Sequence, residues 1–308
     1  MPADEGLNER RHVLRDLARR SDRCGLGHLA LHAGALAVTG VLVLLGRNGP
    51  LLWPAMLVHG IVLVFLFAPL HESVHRTAFR TRRLNDRVAF GCGLVLLLPP
   101  TWFRAFHFAH HRHTQDPERD PELAVPKPAS LPAWLWHGSG LPTWWSQGRN
   151  LLRQALGRVD EPFVAARERA AVVREARLYL AVYATVGALA LALQSTLPLV
   201  LWVGPALLGQ PFLRLYLLAE HTGCPLVGDM LRNTRTTLTT RLVRALAWNM
   251  PYHAEHHAYP ALPFHALPRA HGLLRPGIAC LGAGYVPVNV EIVRRLGEPG
   301  RQTSGSMR

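Results

Sequence analysis

Half of the stretch "HFAHHRHT" (107–114) is histidine. Upstream stands "HESVH" (71–75), downstream "HAEHH" (253–257), and one isolated "AEH" ends at His221. The chemistry available to such windows follows from helical spacing, because residues at i, i+3 and i+4 share one face. His71 and His75 are i, i+4. His107, His110 and His111 are i, i+3, i+4, and so are His253, His256 and His257. Each window can therefore aim its imidazoles at one point, and neutral imidazole is a ligand for iron, copper, nickel and zinc. Two H-x-x-H-H windows in one chain are not accidental. Nine nitrogens are too many for one ion, since a zinc ion takes four ligands. Two metals, with four or five imidazoles each, are the economical reading.

Other readings compete for parts of the set. "HESVH" also fits H-E-x-x-H, but a zinc protease would leave the other seven histidines without a role. A metal transporter would hold its ion near the bilayer midplane, whereas these windows fall at the ends of apolar segments. His28 and His32 share the i, i+4 spacing without a third partner, which predicts interfacial or packed side chains. His12, His59, His137, His265 and His271 are isolated, and surface or packing roles are expected for them. His113 lies at i+2 from His111 and points off the shared face, so its role stays open. Glu72, Asp116, Asp120, Glu220 and Glu255 adjoin the windows and are expected to hold second ring nitrogens of the ligands.

The elements that must position these residues are apolar. Residues 27–46 and 51–70 carry no charge apart from neutral histidines, and each has about the ~20 residues that a bilayer-crossing helix needs. A second pair covers roughly 177–194 and 197–218; Arg214 falls near the end of the last, where a long side chain can snorkel. The turns "RNGP" (47–50) and "ST" (195–196) are short enough for two helical hairpins. Both turns then lie on one face of the membrane and the histidine windows on the other. Of 34 Lys+Arg only Arg47 sits in either turn, so the positive-inside rule places the windows and both termini in the cytoplasm, with a bacterial inner membrane as the expected location.

The expected fold is thus an all-α membrane protein. Two hairpins (four spans) carry a cytoplasmic helical cap that holds the histidine site, in a single membrane-embedded domain over 1–308. Residues 1–25 have no signal-peptide core and read as a cytoplasmic amphipathic segment, with Val13, Leu14 and Leu17 as a stripe for the membrane surface. Residues 88–100 are apolar but too short to cross, which predicts a re-entrant or interfacial piece. Trp134, Trp136, Trp144 and Trp145 suit the headgroup level, 161–176 is a charged helix feeding the third span, and 298–308 is a disordered tail. The net charge of +14 comes without any nucleic-acid-binding motif, so nucleic acid is not an expected partner. The four cysteines form no C-x-x-C pair and read as free thiols.

With "HESVH", "FHFAHHRHTQDPERDPE" and "NMPYHAEHHAYPALP" in place, the chain resembles the integral-membrane fatty acid desaturases and their hydroxylase and ketolase relatives over about residues 28–272. The resemblance implies two non-haem irons held by His71, His75, His107, His110, His111, His221, His253, His256 and His257. It also implies O2 as co-substrate and two electrons per turnover. A fatty acyl or membrane-lipid chain is the substrate it suggests first. Hydroxylation, ketolation or monooxygenation of a carotenoid, an alkane or another small apolar molecule is the alternative. Some relatives place an Asn four residues before the isolated histidine; here that position is Leu217. No haem domain or C-x-x-C iron–sulfur motif accompanies the windows, so electrons are expected from a separate donor such as a ferredoxin with its reductase. A basic cytoplasmic face would suit an acidic donor.

Overall fold

A helix that is apolar on every side has no stripe to offer water, and four helices here are of that kind. In the computed structural model, which describes residues 12–297, they run over Asp22–Gly46, Leu52–His75, Ala166–Ala192 and Leu199–His221. Each is long and apolar enough to cross a membrane. The expectations for residues 1–11 and for the tail from Glu298 lie outside the described residues.

The first span, α1 (Asp22–Gly46), is turned inside out relative to a helix of a water-soluble protein. Its buried positions include His32 and Thr39, while Leu31, Val38 and Leu45 are 61%, 62% and 78% exposed. Polar groups inward and leucines outward is the arrangement that a hydrocarbon solvent favours. The buried polar groups are satisfied between spans. Thr39 Oγ1 lies 2.8 Å from His59 Nδ1, and His59 Nε2 lies 3.0 Å from the Leu201 carbonyl. One hydrogen-bonded chain therefore ties three spans together, and His59 has the packing role expected of it.

The second span is broken into α2 (Leu52–Val64) and α3 (Phe67–His75). It stops where it must for the chemistry. Arg76 takes a left-handed conformation (φ 61°) immediately after His75, and its N–H and that of Thr77 cap carbonyls of the last turn. Such a cap ends a helix sharply. Next come α4 (Arg82–Val95) and α5 (Pro100–His113), bent by 99° at the break. Pro100 opens α5 at a position where its missing N–H leaves no bond unmade. The apolar stretch expected to be re-entrant over 88–100 is this bend.

Helices α6 (Leu131–Gly138) and α7 (Leu141–Ala155) follow. The charged segment before the third span is continuous with it as α8 (Ala166–Ala192). The fourth span begins with a π-helical turn (Leu199–Val203) and continues as α9 (Gly204–His221). Beyond it lie α10 (Met230–Asn233), β1 (Arg235–Thr237), α11 (Arg241–Leu246), α12 (His253–Ala258), α13 (Leu267–Leu274), β2 (Cys280–Gly282) and α14 (Tyr285–Arg294). The two strands pair in parallel, with Thr236 opposite Leu281. This small sheet adds to the otherwise helical architecture and fixes the backbone beside the third histidine window.

Two expectations are corrected. Leu14 and Leu17 are buried in the main apolar core, so the stripe of the N-terminal segment docks on the protein rather than lying on the membrane surface. Arg214 stands two turns inside the fourth span, because α9 runs on to His221; its Nε is buried, so it does not snorkel to an interface.

Spans two and four cross at glycines. A Cβ on Gly209 would meet the carbonyl carbon and oxygen of Gly60 at 2.2 Å, and one on Gly60 would meet the Pro205 oxygen at 2.0 Å. The contact partners are backbone and cannot swing away. Gly209→Ala is therefore expected to destabilise the protein by about 1–3 kcal/mol through overpacking. The check is a lowered thermal midpoint in detergent; an unchanged midpoint would contradict so close a crossing.

Candidate metal centre

Two spans end on histidine at the same level. His71 and His75 occupy the last turns of α3, and His221 is the last residue of α9. The remaining six imidazoles come from α5 and α12, which lie across those ends. The structure brings all nine together in two groups. His71, His75, His107, His111 and His256 place one ring nitrogen each within 4.8 Å of one another; His110, His221 and His257 form a second such group. His253 joins the second, with its Nε2 3.1 Å from Nε2 of His257. All except His111 are buried.

The contacts inside the first group cannot all be hydrogen bonds. His107 Nε2 lies 2.8 Å from His75 Nε2 and 3.0 Å from His111 Nε2, which lies 3.2 Å from His256 Nε2. A ring nitrogen either donates one proton or offers one lone pair. Four nitrogens in such a chain make at most two good bonds for three contacts, so at least one close contact is left without a hydrogen bond. Both nitrogens of buried His71 have no partner, nor do Nδ1 of His111, His253 and His256 or Nε2 of His221. A cation shared by the lone pairs resolves the conflict. The spacing fits as well: nitrogens about 2.0–2.1 Å from a common ion stand about 2.8–3.4 Å apart at octahedral to tetrahedral angles.

Protonation agrees with a ligand role. Burial, reinforced by neighbouring imidazoles, pushes His107, His111, His253, His256 and His257 well below the ordinary histidine range. Near neutral pH these rings are uncharged and their lone pairs are free. His110 differs. Burial alone would lower it, but Glu122 and the hydrogen bond to Asp120 outweigh that and raise it. His110 Nδ1 donates to Asp120 Oδ1 at 2.9 Å, which leaves Nε2 for a metal. Asp120 is itself fixed by the backbone N–H groups of Gln115 and Glu122.

The other acids are placed differently from the role read for them in the sequence. Buried Glu72 accepts from Thr77 Oγ1 and from the Phe264 N–H, so it ties the end of span two to the loop after the third window. Buried Glu255 accepts from Thr236 Oγ1 at 2.5 Å and from His271 Nδ1. Neither reaches a ring of the nine. Asp116 pairs with Arg119 at a turn. Glu220 Oε2 lies 3.4 Å from His253 Nε2, facing the atom that points into the cluster.

Residues that spacing did not single out complete the surroundings. Thr114 Oγ1 donates to the His110 carbonyl and accepts from His257 Nδ1 at 3.2 Å, freeing His257 Nε2. Gln115 Nε2 donates to the His221 carbonyl at 2.7 Å. Asn233 Nδ2 donates to the Thr114 carbonyl at 3.2 Å. His271, read as isolated, serves Glu255. His113 is not in either group. His28 and His32 are packing residues, as expected: His28 donates to the Ala245 carbonyl at 2.7 Å between Trp248 and Phe264, and His32 bonds the Val62 carbonyl at 2.9 Å.

These positions separate ligands from bystanders. His110→Ala, His111→Ala, His256→Ala and His257→Ala are each expected to lower bound metal and to cut activity by orders of magnitude, while the apolar spans still insert. His28→Ala and His32→Ala should keep metal and lose about 1–3 kcal/mol of stability through an unpartnered carbonyl. Metal analysis of the purified variants reads the difference. Metal loss in the His28 and His32 variants equal to that of the four would overturn the assignment.

The comparisons with known proteins bear on the same residues. No curated protein matches the chain significantly. A family model described as fatty acid desaturase matches residues 48–289, a stretch that holds all nine histidines and both span ends that carry them. The chain belongs to the fatty acid desaturase family.

Proposed function

We propose that the protein is a membrane di-iron oxidoreductase that uses O2 to remove hydrogen from unactivated C–H bonds of a substrate with a hydrocarbon chain, a fatty acyl group in the first instance. Family membership supports a desaturase- or hydroxylase-type oxidoreductase. The observation that carries the finer reading is the pair of imidazole groups, five and four strong, with lone pairs converging on two points. A donor set of neutral nitrogens and no thiolate suits iron. The chemistry such a pair of irons supplies when bound is reductive activation of O2 and hydrogen removal from an unactivated C–H bond.

The chain's own residues do the rest. Asp120 and Thr114 orient His110 and His257 through their Nδ1 atoms, so that each presents Nε2. A cavity of about 610 Å³ opens beside the cluster, with His71, His107, His110, His221 and His253 in its wall. Phe67 and Phe103, whose rings lie 6.0 and 5.4 Å from those of His71 and His107, give the wall beside the histidines an apolar surface. Substrate carbon held there is shielded from water next to the reacting centre.

Electrons come from a separate acidic donor in this reading. A cleft of about 700 Å³ near the end of α3 is lined by Arg76, Arg82, Arg104, Arg112 and Arg167, against Asp86, Glu168 and Glu175. Arg104 bonds the Val74 carbonyl, next to His75, and stacks on Phe108 at 4.3 Å. The excess of cations beside a ligand-bearing turn suits a ferredoxin-like surface.

Two measurements test the proposal. Protein purified without chelators should carry about two irons per chain, on the stoichiometry that the two imidazole groups imply, and consume O2 only with a reductant and substrate. Stoichiometric zinc with full activity and no O2 uptake would refute it. Arg112→Glu with Arg167→Glu, both exposed in the cleft, should slow reduction by a ferredoxin about tenfold and flatten its salt dependence. Reduction by dithionite should not change. Equal loss with both reductants would remove the cleft as the docking site.

A further inference from the structure

Helix α7 is inside out in the same sense as the spans. Leu141, Trp145, Leu152 and Leu156 at its outer face and end are 49%, 76%, 54% and 73% exposed. Its Thr143, Ser146, Gln147, Asn150 and Gln154, spaced i, i+3, i+4, i+7 and i+11, face the cavity of about 610 Å³. A cavity meant for a bare hydrocarbon gains nothing from an amide-lined wall, because burying unpartnered amides is unfavourable. Gln147 Oε1, Gln154 Oε1 and Tyr216 Oη, all in this wall, have no partner within the protein.

Arg214 lies in the same wall, in the middle of a spanning helix. Its one hydrogen bond runs from Nη1 to Thr143 Oγ1 at 3.3 Å, and its buried Nε has none. Among the described residues no carboxylate forms an ion pair with it. Glu122, Glu161 and Glu220 also line the cavity without coming within ion-pair distance of Arg214; of the cavity's other cations, Arg153 pairs with Asp160 and Lys127 donates to Gln115 Oε1. Arg214 is therefore the guanidinium of this cavity left without an ion-pair partner, and a planar fork of N–H donors matches a carboxylate. On α9, Arg214 precedes His221 by seven residues, which puts both on one face and about 10 Å apart along the axis.

We propose that Arg214 binds the carboxylate of an amphiphilic substrate, with the polar face of α7 around its head and its chain running past the phenylalanines toward the histidines. The inference rests on the cavity's being the substrate site of the proposed function. It narrows the substrate to a chain with a free anionic end and makes Arg214 the residue that sets which carbon reaches the centre.

Direct binding separates this from the activity. Purified metal-loaded protein in nanodiscs is titrated calorimetrically with decanoate, with decanol and with decyltrimethylammonium. Wild type should bind decanoate at least tenfold more tightly than either of the others. Arg214→Gln should abolish that preference while leaving decanol binding and metal content unchanged, and Arg214→Lys should restore part of it. Equal binding of decanoate and decanol by wild type would overturn the inference whatever the variants do. Preference for the ammonium probe would overturn it in favour of the cavity's carboxyls. A decanoate preference that depends on Arg214, in protein that holds zinc and consumes no O2, would sustain the site and sink the proposed oxidation.

Discussion

Nine imidazoles packed into one buried cluster present a single physical problem: each ring nitrogen is either a donor or an acceptor, and the contacts outnumber the hydrogen bonds they can make. His107 Nε2 touches two other Nε2 atoms, and both nitrogens of His71 touch none that satisfy them. Burial disfavours charging rings such as His107 and His256. What remains is to share lone pairs with a cation, and the rest of the structure can be understood as holding the rings in that unfavourable proximity. The end of span two is fixed by a left-handed cap after His75. The end of span four is fixed by Gln115 on the His221 carbonyl. The short helix α12 is held by Glu255 through Thr236 and His271.

That frame explains why the acids beside the windows are placed as they are. A carboxylate on every ligand ring would bring several charges into one buried volume. Instead, a carboxylate holds the outer nitrogen of one ring, His110 Nδ1, Glu220 stands 3.4 Å from His253, and uncharged Thr114 serves His257. Glu72 through Oε2, and Glu255 through both oxygens, bind groups that join distant parts of the chain. They work as fasteners for the scaffold, so their effect on the centre runs through the positions of α3 and α12.

The sequence made the spans and the histidine windows legible for different reasons. A bilayer demands a minimum run of apolar residues, and that demand is visible without tertiary information. Helical spacing puts 107, 110 and 111 on one face whatever lies opposite. The roles of Thr114, Gln115, Asn233 and His271 were hidden, because each depends on a partner brought close only by the crossing of elements far apart in the chain. The same holds for Cys280, which read as a scattered thiol, yet its Sγ donates to the Arg232 carbonyl at 3.4 Å. The orientation of the tryptophan-rich segment was not legible: exposed Trp145 faces outward while the amides of the same helix turn in.

The orientation of α7 bears on how one scaffold accepts chemically different molecules. The histidine centre sits where span ends meet the cap, and the fold fixes it there. The wall opposite is built from α7 and the inner face of α9, and neither contributes a ligand apart from His221. Residues there can change without disturbing the two imidazole groups. Leu217 and Arg214 are on that face, one and two turns before His221. A side chain one turn away bears on the space beside the second imidazole group, and one two turns away bears on what the far end of a substrate must carry. In the proposed reading, reactivity is set where the spans end, and selectivity along the turns of α9 that lead up to that point.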